Sequence, residues 1–369
     1  MYQPKTTHDE QARQDFVSAF RSHLARAIQP ATARIYEQQL KPAFVERHGR
    51  EPESIDEVKS IMDPDPGYRL WSALQRRSQE MMWESIAAPA LRQRDALVAN
   101  FRAVPGEAGG SLELDPKLEI PAYHSTVDIH LQPGGYHSDT CPDDVTAGVL
   151  YETSLPIYIG GALGPDSDRL GHMLIDAAKQ EIPDLKPQRI LDMGCAVGNS
   201  TLPWAESFPD AEVFAIDVAA PCLRYGHLRA EEKGQRVHFR QRNAEATRFP
   251  DQHFDLIVSH IMLHETSRPA IDNIMAECRR LLRPGGYMLH MEIPRGVGPF
   301  DQYMSTWETY NNNEYFARRI THIDLPSRAV AGGFSPERVK LTANDGGFSK
   351  AQRNYTERPL AWPILLGQA

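Results

Sequence analysis

Between residues 189 and 293 one pattern repeats: a short apolar run, a polar break, then a helical stretch. The runs are RILDMG, AEVFAID, VHFRQRN, FDLIVSHIML and YMLHMEI. Strands separated in this way by helical patterns are the signature of βαβ units, in which crossover helices cover both faces of a parallel sheet. Two later runs, ERVKLTA and LAWPILLG, bring the expected total to about seven strands. The fold class expected is α/β, a doubly wound, mostly parallel sheet.

The segments before this pattern read differently. Residues 9 to 105 are mostly helical, with Phe16, Phe20, Leu24 and Ile28 at four-residue spacing on one face. A second helix is expected to be interrupted at Pro42, and Met81, Met82 and Trp83 read first as helix–helix core, with the lining of a ligand pocket as the alternative. Glycines and prolines punctuate residues 104 to 165, where STVDIHLQ alternates like a short strand. His124, His130 and His137 there read either as pocket residues or, more often for such a pattern, as surface residues. An amphipathic helix follows, with Ser167 or Asp168 as its N-cap. Three regions are expected: a helical domain over 1–120 acting as lid, homodimer surface or both; a connecting segment and pocket lid over 121–185; and a ligand-binding domain over 186–369 with a helical insert at 298–331.

Charge and cysteine content exclude some functions. With 40 Lys and Arg against 49 Asp and Glu, the net charge is −9, a poor balance for holding nucleic acid. The four cysteines are scattered without C-x-x-C spacing, which argues for a reducing, cytoplasmic setting and against a structural zinc site. No apolar run reaches membrane-spanning length, and the polar opening MYQPKTTHDEQARQ has no apolar core of a signal peptide. The partner expected is therefore a small molecule, with no nucleic acid and no membrane.

Ligands of a doubly wound sheet bind at the carboxyl ends of its strands. The first strand ends in DMGCAVGNST, where small residues at 194, 196 and 198 allow close backbone approach and positive φ. The spacing is G-x-A-x-G, and position 199 is Asn where a dinucleotide fingerprint has glycine. The second strand ends at Asp217, placed to accept hydrogen bonds from both hydroxyls of a ribose. The third ends in RNAEA, where Asn243 and the Ala244 backbone could meet an adenine edge.

Taken in order, ILDMGCAVGNST, FAID, RNAEATRFPDQHFDLIVSHIMLHE and ECRRLLRPGGYMLHMEIP resemble the class I S-adenosylmethionine-dependent methyltransferases, a Rossmann-like family. The branch most similar includes the ubiquinone- and menaquinone-biosynthesis enzymes and many small-molecule methyltransferases. The resemblance spans about residues 185 to 295. Ala196 stands where the family's turn has its middle glycine, and Asn243 where it usually has Asp. The resemblance implies S-adenosylmethionine as cofactor, with Asp192 and Gly194 near its methionine part, Ala196 and Gly198 permitting close backbone approach, Asp217 on the ribose, Asn243 and Ala244 facing adenine, and Ser259 or His260 under the sulfonium.

Methyl transfer from a sulfonium needs an aligned nucleophile and a dry site; an O–H nucleophile also needs a base. His264 stands where plant-type phenol O-methyltransferases carry a catalytic histidine, so His264 and His260 are the catalytic candidates. Tyr151, Tyr158, Tyr303 and Trp307 are the candidate aromatic walls for an acceptor, with His290 and Glu292 at a neighbouring strand end. His260, His264, Glu265, His290 and Glu292 could also converge on a metal, but sulfonium chemistry requires none and none is expected. The function expected is O- or N-methylation of a small molecule. Its rivals are another S-adenosylmethionine reaction on the same fold, such as ring closure of the aminobutyryl chain, and a non-catalytic S-adenosylmethionine-binding scaffold. An NAD-dependent oxidoreductase is weaker, because glycine is missing at 199.

Overall fold

The structure, a computed structural model, describes residues 3–104, 106–294, 298–316, 320, 323–344 and 361–369. Its sheet has eight strands: β1 (Ser111–Glu113), β2 (Arg189–Met193), β3 (Glu212–Asp217), β4 (Val237–Gln241), β5 (Phe254–His260), β6 (Leu282–Met291), β7 (Val339–Asn344) and β8 (Trp362–Gln368). Their order is β1-β4-β3-β2-β5-β6-β8-β7. The pairs from β1 to β6 are parallel, and β8 runs antiparallel to both β6 and β7. The five parallel strands that follow the glycine-rich pattern therefore end on one edge, where the strand order reverses beside β2.

The strands are β-branched and apolar because both faces are covered. One face packs on the helices Arg169–Glu181 and Leu202–Ser207, the other on Arg268–Leu281 and Leu325–Ala331. Ile190, Leu191, Val213, Leu256 and Ile257 are fully buried between them.

Several details depart from the sequence reading. The eighth strand is β1, three residues long, paired with β4 from Ser111↔His238 to Glu113↔Arg240; so short a run carries no alternation to read. STVDIHLQ forms no strand but a 3-10 turn at Ile129–Leu131, with His130 and Leu131 at φ of 54° and 61°. Pro42 does not break its helix: the π-turn Tyr36–Leu40 runs directly into Lys41–His48, with Leu40 and Lys41 both in right-handed helical geometry, so the wider turn carries the helix past the proline. The helix before β6, whose glycine pair Gly285–Gly286 reads in the sequence as its stop, ends at Leu281, and the pair lies within β6. Asp168 precedes Arg169–Glu181 without a side-chain capping bond.

The N-terminal helices are fastened to the rest of the chain at two places. The long helix Pro66–Arg92 packs, through Met82, Trp83 and Ile86, on the helix Thr146–Tyr158 and on Cys222 and Tyr225 beyond it. Further along, Tyr36, Val58, Met62 and Trp71 pack against Phe300, Tyr303, Met304 and Trp307 of the helix Pro299–Asn311. Burying rings of this size contributes about 2–3 kcal/mol each, so the helix Pro299–Asn311 of the late insert is held by the N-terminal helices, while Leu325–Ala331 packs on the sheet core. Among the described residues no helix is long and apolar enough to cross a membrane.

Candidate active site

A cavity of about 480 Å³ opens at the carboxyl edge of the sheet. One end is built from the strand-end turns. After β2 the backbone turns through Gly194 (φ 70°), Ala196 (φ 46°) and Gly198 (φ 77°). The N–H groups of Gly194 and Cys195 both donate to the Ile216 carbonyl, at 2.8 and 3.0 Å. A Cβ on Gly194 would lie 2.5 Å from Met262 Cγ, so the position is closed to side chains by space as well as by φ. Ala196 accepts the left-handed geometry at a cost of about 1–2 kcal/mol.

Asp217 explains why that strain is tolerated. Its carboxylate accepts the Ala196 N–H at 2.9 Å and the Ala219 N–H at 2.9 Å, tying together the turns after β2 and β3. It also lines the cavity, beside Val218, Arg242, Asn243 and Ala244. Burial pushes its pKa up, opposed by His124 and by the two N–H donors. Asn243 uses its Oδ1 to accept the Glu245 N–H at 2.9 Å, which shapes its own turn.

The other end is polar and aromatic. His264 follows β5 and lines the cavity, while its Nδ1 lies 2.9 Å from Glu292 Oε2. Glu292 is 2 % exposed and its Oε1 also accepts the Leu263 N–H at 2.7 Å, so the carboxylate fixes both the ring and the turn that carries it. Burial lowers the His264 pKa, but Glu292, Glu265 and Glu314 outweigh it and hold it at about 9. His130 stands between Glu314 (Nδ1 to Oε1, 3.0 Å) and Glu265 (Nε2 to Oε1, 3.4 Å). Burial opposes its charge, yet these two carboxylates raise its pKa well above the ordinary value. Its left-handed backbone is held by Gln79 Nε2 and Trp83 Nε1, which donate to its carbonyl at 3.0 and 2.7 Å. Glu308 and Glu314 both line this end. Burial and the Glu314 charge push Glu308 up to about 8, while Glu314, despite burial, is held at about 2 by His130.

The structure brings together some of the expected site residues and separates others. Gly194, Ala196, Asp217, Asn243, Ala244, His260, His264, Tyr151 and Tyr158 all line the cavity. Asp192, 1 % exposed, stands behind it: its Oδ2 accepts the Thr201 hydroxyl at 2.6 Å, and its Oδ1 lies 3.5 Å from His260 Nδ1. Gly198 lies against the Phe239 ring and acts on the turn. Ser259 and His290 are fully buried and meet each other at 2.7 Å, within the sheet core. His290 and Glu292 are thus not acceptor contacts, because both side chains point into the protein. Tyr303 and Trp307 are also corrected. Tyr303 donates its hydroxyl to Asp63 at 2.6 Å and Trp307 its indole N–H to Ser72 at 2.9 Å, away from the cavity.

The residues missed lie in places the sequence treated as peripheral. His124 and His130 line the cavity rather than the surface, and Trp83, core by its first reading, lines it too, as its alternative reading had it. On the helix Pro299–Asn311 the cavity face is Ser305 and Glu308. A signal was present: Phe300, Tyr303, Met304 and Trp307 follow the i, i+3, i+4, i+7 stripe of a buried helix face, which leaves 305 and 308 on another side. Among the described residues no group of three or more His, Cys, Asp or Glu is arranged to hold a metal ion.

Residues 190–286 match the family model described as a methyltransferase domain. The chain is 34% identical over 108 residues to a demethylmenaquinone methyltransferase of Thermus thermophilus, covering 29% of this chain and 48% of that protein. It is 36% identical over 163 residues to a malonyl-[acyl-carrier protein] O-methyltransferase of Methylococcus capsulatus, covering 44% and 57%. The chain thus spans about half the length of these curated relatives.

Proposed function

We propose that this chain, which carries a class I S-adenosylmethionine-dependent methyltransferase domain, transfers the sulfonium methyl group to a small-molecule acceptor bound in the same cavity. The observation that carries this reading is the continuity of the 480 Å³ cavity: the glycine turn, Asp217 and Asn243 form one end, and a ring of histidines, carboxylates and tyrosines forms the other.

The residues present fit the cofactor. Gly194 leaves backbone space that a Cβ would fill, Asp217 keeps lone pairs free for the ribose hydroxyls, and Asn243 and Ala244 line the cavity beside Asp217, where the resemblance puts the adenine. His260 is 8 % exposed, and both its ring nitrogens are buried without a hydrogen-bond partner. A buried polar group left so costs about 1–3 kcal/mol, and a ligand in the cavity would satisfy it. When bound, S-adenosylmethionine supplies a methyl group already activated by positive charge. The chain's part is to align the acceptor and exclude water. Tyr136, Tyr151, Tyr158 and Trp83 wall the cavity for that purpose.

At His264 the carboxylate neighbours raise the pKa to about 9, which favours the protonated ring near neutral pH, with Nδ1 on Glu292 Oε2 and Nε2 4.0 Å from Glu314 Oε2.

The test is calorimetry with S-adenosylmethionine, paired with mass spectrometry of turnover products. Asp217→Ala removes charge-assisted contacts and is expected to weaken binding by about 2 kcal/mol or more, roughly 30-fold. Unchanged affinity would remove Asp217 from the site. S-adenosylhomocysteine as product supports methyl transfer, and methylthioadenosine would point to ring closure.

A further inference from the structure

We propose that the hydroxyls of Tyr136 and Tyr151 hydrogen-bond the acceptor and hold its nucleophilic atom against the cofactor's methyl group. The inference rests on the cofactor reading above and assigns the orienting contacts of the same cavity.

A buried tyrosine usually finds a partner for its hydroxyl. Two of the tyrosines that line the cavity have one. Tyr123 donates to Glu245 at 2.9 Å, and the Tyr158 hydroxyl accepts from Asn312 Nδ2 at 3.1 Å. Tyr136 and Tyr151 line the same cavity, yet among the described residues no group bonds either hydroxyl. Tyr136 is only 8 % exposed, so the cavity is where its hydroxyl can be satisfied.

Their place suits the role. The two rings meet edge to face, with centroids 5.5 Å apart. The charges acting on the Tyr151 hydroxyl include Glu265, from the acceptor end, and Asp217, from the cofactor end. Those acting on Tyr136 include Glu265, and Tyr151 itself bears on it. The pair thus stands between the two ends, where the methyl group crosses. Burial first, and then these neighbours, push both hydroxyls far above the ordinary phenol pKa. Each therefore stays neutral and can both donate and accept.

Both rings are also firmly mounted. Tyr136 follows Gly134 and Gly135, at φ of 78° and 65°. Gln132, fully buried, donates from Nε2 to the carbonyls of Gly135 at 3.3 Å and Ala147 at 3.0 Å. That one side chain ties the turn before Tyr136 to the helix Thr146–Tyr158, which carries Tyr151. Arg224 fixes the segment between them, donating to the Asp139 carboxylate at 3.0 Å and to the Asp144 carbonyl at 2.8 Å. A wall needs only the rings, whereas orienting a nucleophile needs hydroxyls held in place. In this role neither tyrosine gains or loses a proton. An O–H or N–H of the acceptor donates to one hydroxyl, the other donates to the acceptor, and a lone pair is left facing the methyl carbon.

The experiment uses the full chain saturated with S-adenosylhomocysteine and two probes of matched shape, phenol and toluene, which differ in the hydroxyl. Binding is read by calorimetry in the parent, in Tyr136→Phe, in Tyr151→Phe and in the double variant. From parent to double variant, the affinity for phenol relative to toluene is expected to fall about tenfold or more, with toluene binding kept. Neither hydroxyl has a bond within the protein to lose, so without ligand the variants are expected to melt at or above the parent's temperature. A hydroxyl with a structural role would give the opposite sign. An unchanged phenol-to-toluene ratio, binding of neither probe, or a lowered melting temperature would overturn the inference. A loss of S-adenosylhomocysteine affinity in the variants would also overturn it, by giving the pair to the cofactor. If the parent itself does not bind S-adenosylhomocysteine while the ratio still falls in the double variant, methyl transfer fails and the hydroxyl pair stands as a ligand site.

Discussion

At the scale of the residue, the cavity shows how burial and neighbours assign different work to like groups. Glu308 and Glu314 are six residues apart in sequence and share Asn312, whose Nδ2 lies 2.8 Å from one carboxylate and 2.9 Å from the other. One is proton-bearing up to about pH 8 and the other ionised from about pH 2. A folded-state pKa raised above the unfolded value means that the folded state holds the extra proton. Stability from Glu308 is therefore full below about 4.5 and lost as pH rises through about 8. Glu308→Gln, which keeps the shape without the charge, is expected to raise the melting temperature at pH 8.5 relative to the parent and to leave it nearly unchanged at pH 5. Thermal unfolding at the two pH values checks this, and an equal effect at both would show that Glu308 does not titrate in that window. His264 adds to the same slope, because its raised pKa places the loss between about 6.5 and 9. Glu292→Gln should remove that component while lowering stability at neutral pH, since it leaves a buried ring without its counter-charge.

At the scale of the element, the turn after β2 and the turn at Ile129–Leu131 are two strained segments held by distant anchors. The first was legible in the sequence, since small residues at 194, 196 and 198 advertise positive φ. The second was not, because the left-handed residues there are His130 and Leu131, types that seldom adopt that geometry, and its anchors, Gln79 and Trp83, lie some fifty residues upstream. Gly194→Ala introduces a Cβ 2.5 Å from Met262 Cγ at a φ of 70°. It is expected to lower stability by about 1–3 kcal/mol and to weaken S-adenosylmethionine binding at least tenfold. Chemical denaturation and calorimetry measure the two separately, and wild-type affinity in the variant would show that the turn does not approach the cofactor. The helix Pro299–Asn311 teaches a related lesson. Its aromatic residues looked like pocket walls, yet aromatics at core spacing went to the core, and the charged residue between them reached the cavity.

At the scale of the whole molecule, the N-terminal helices complete the acceptor end and share a buried core with Val197 and Ala219 of the strand-end turns. Trp83 contributes a wall and holds His130, while Trp71 and Met62 pack on the helix that carries Glu308. Trp307→Ala should therefore raise KM for the acceptor several-fold while S-adenosylmethionine affinity stays within about twofold, because the indole meets Ser72 and Trp71 rather than the cavity. A parallel loss of cofactor binding would mean that the two ends are not mechanically separate. The sequence alone determined the parallel sheet and its strand-end turns, because apolar runs, positive-φ glycines and strand-end acids act within a few residues of one another, and the family resemblance those motifs carry implied the cofactor class. Only the tertiary structure decided the acceptor end. His130, Glu265, Glu308 and Glu314 come from segments up to 184 positions apart, and the charge state of each depends on neighbours that meet only when the helices pack.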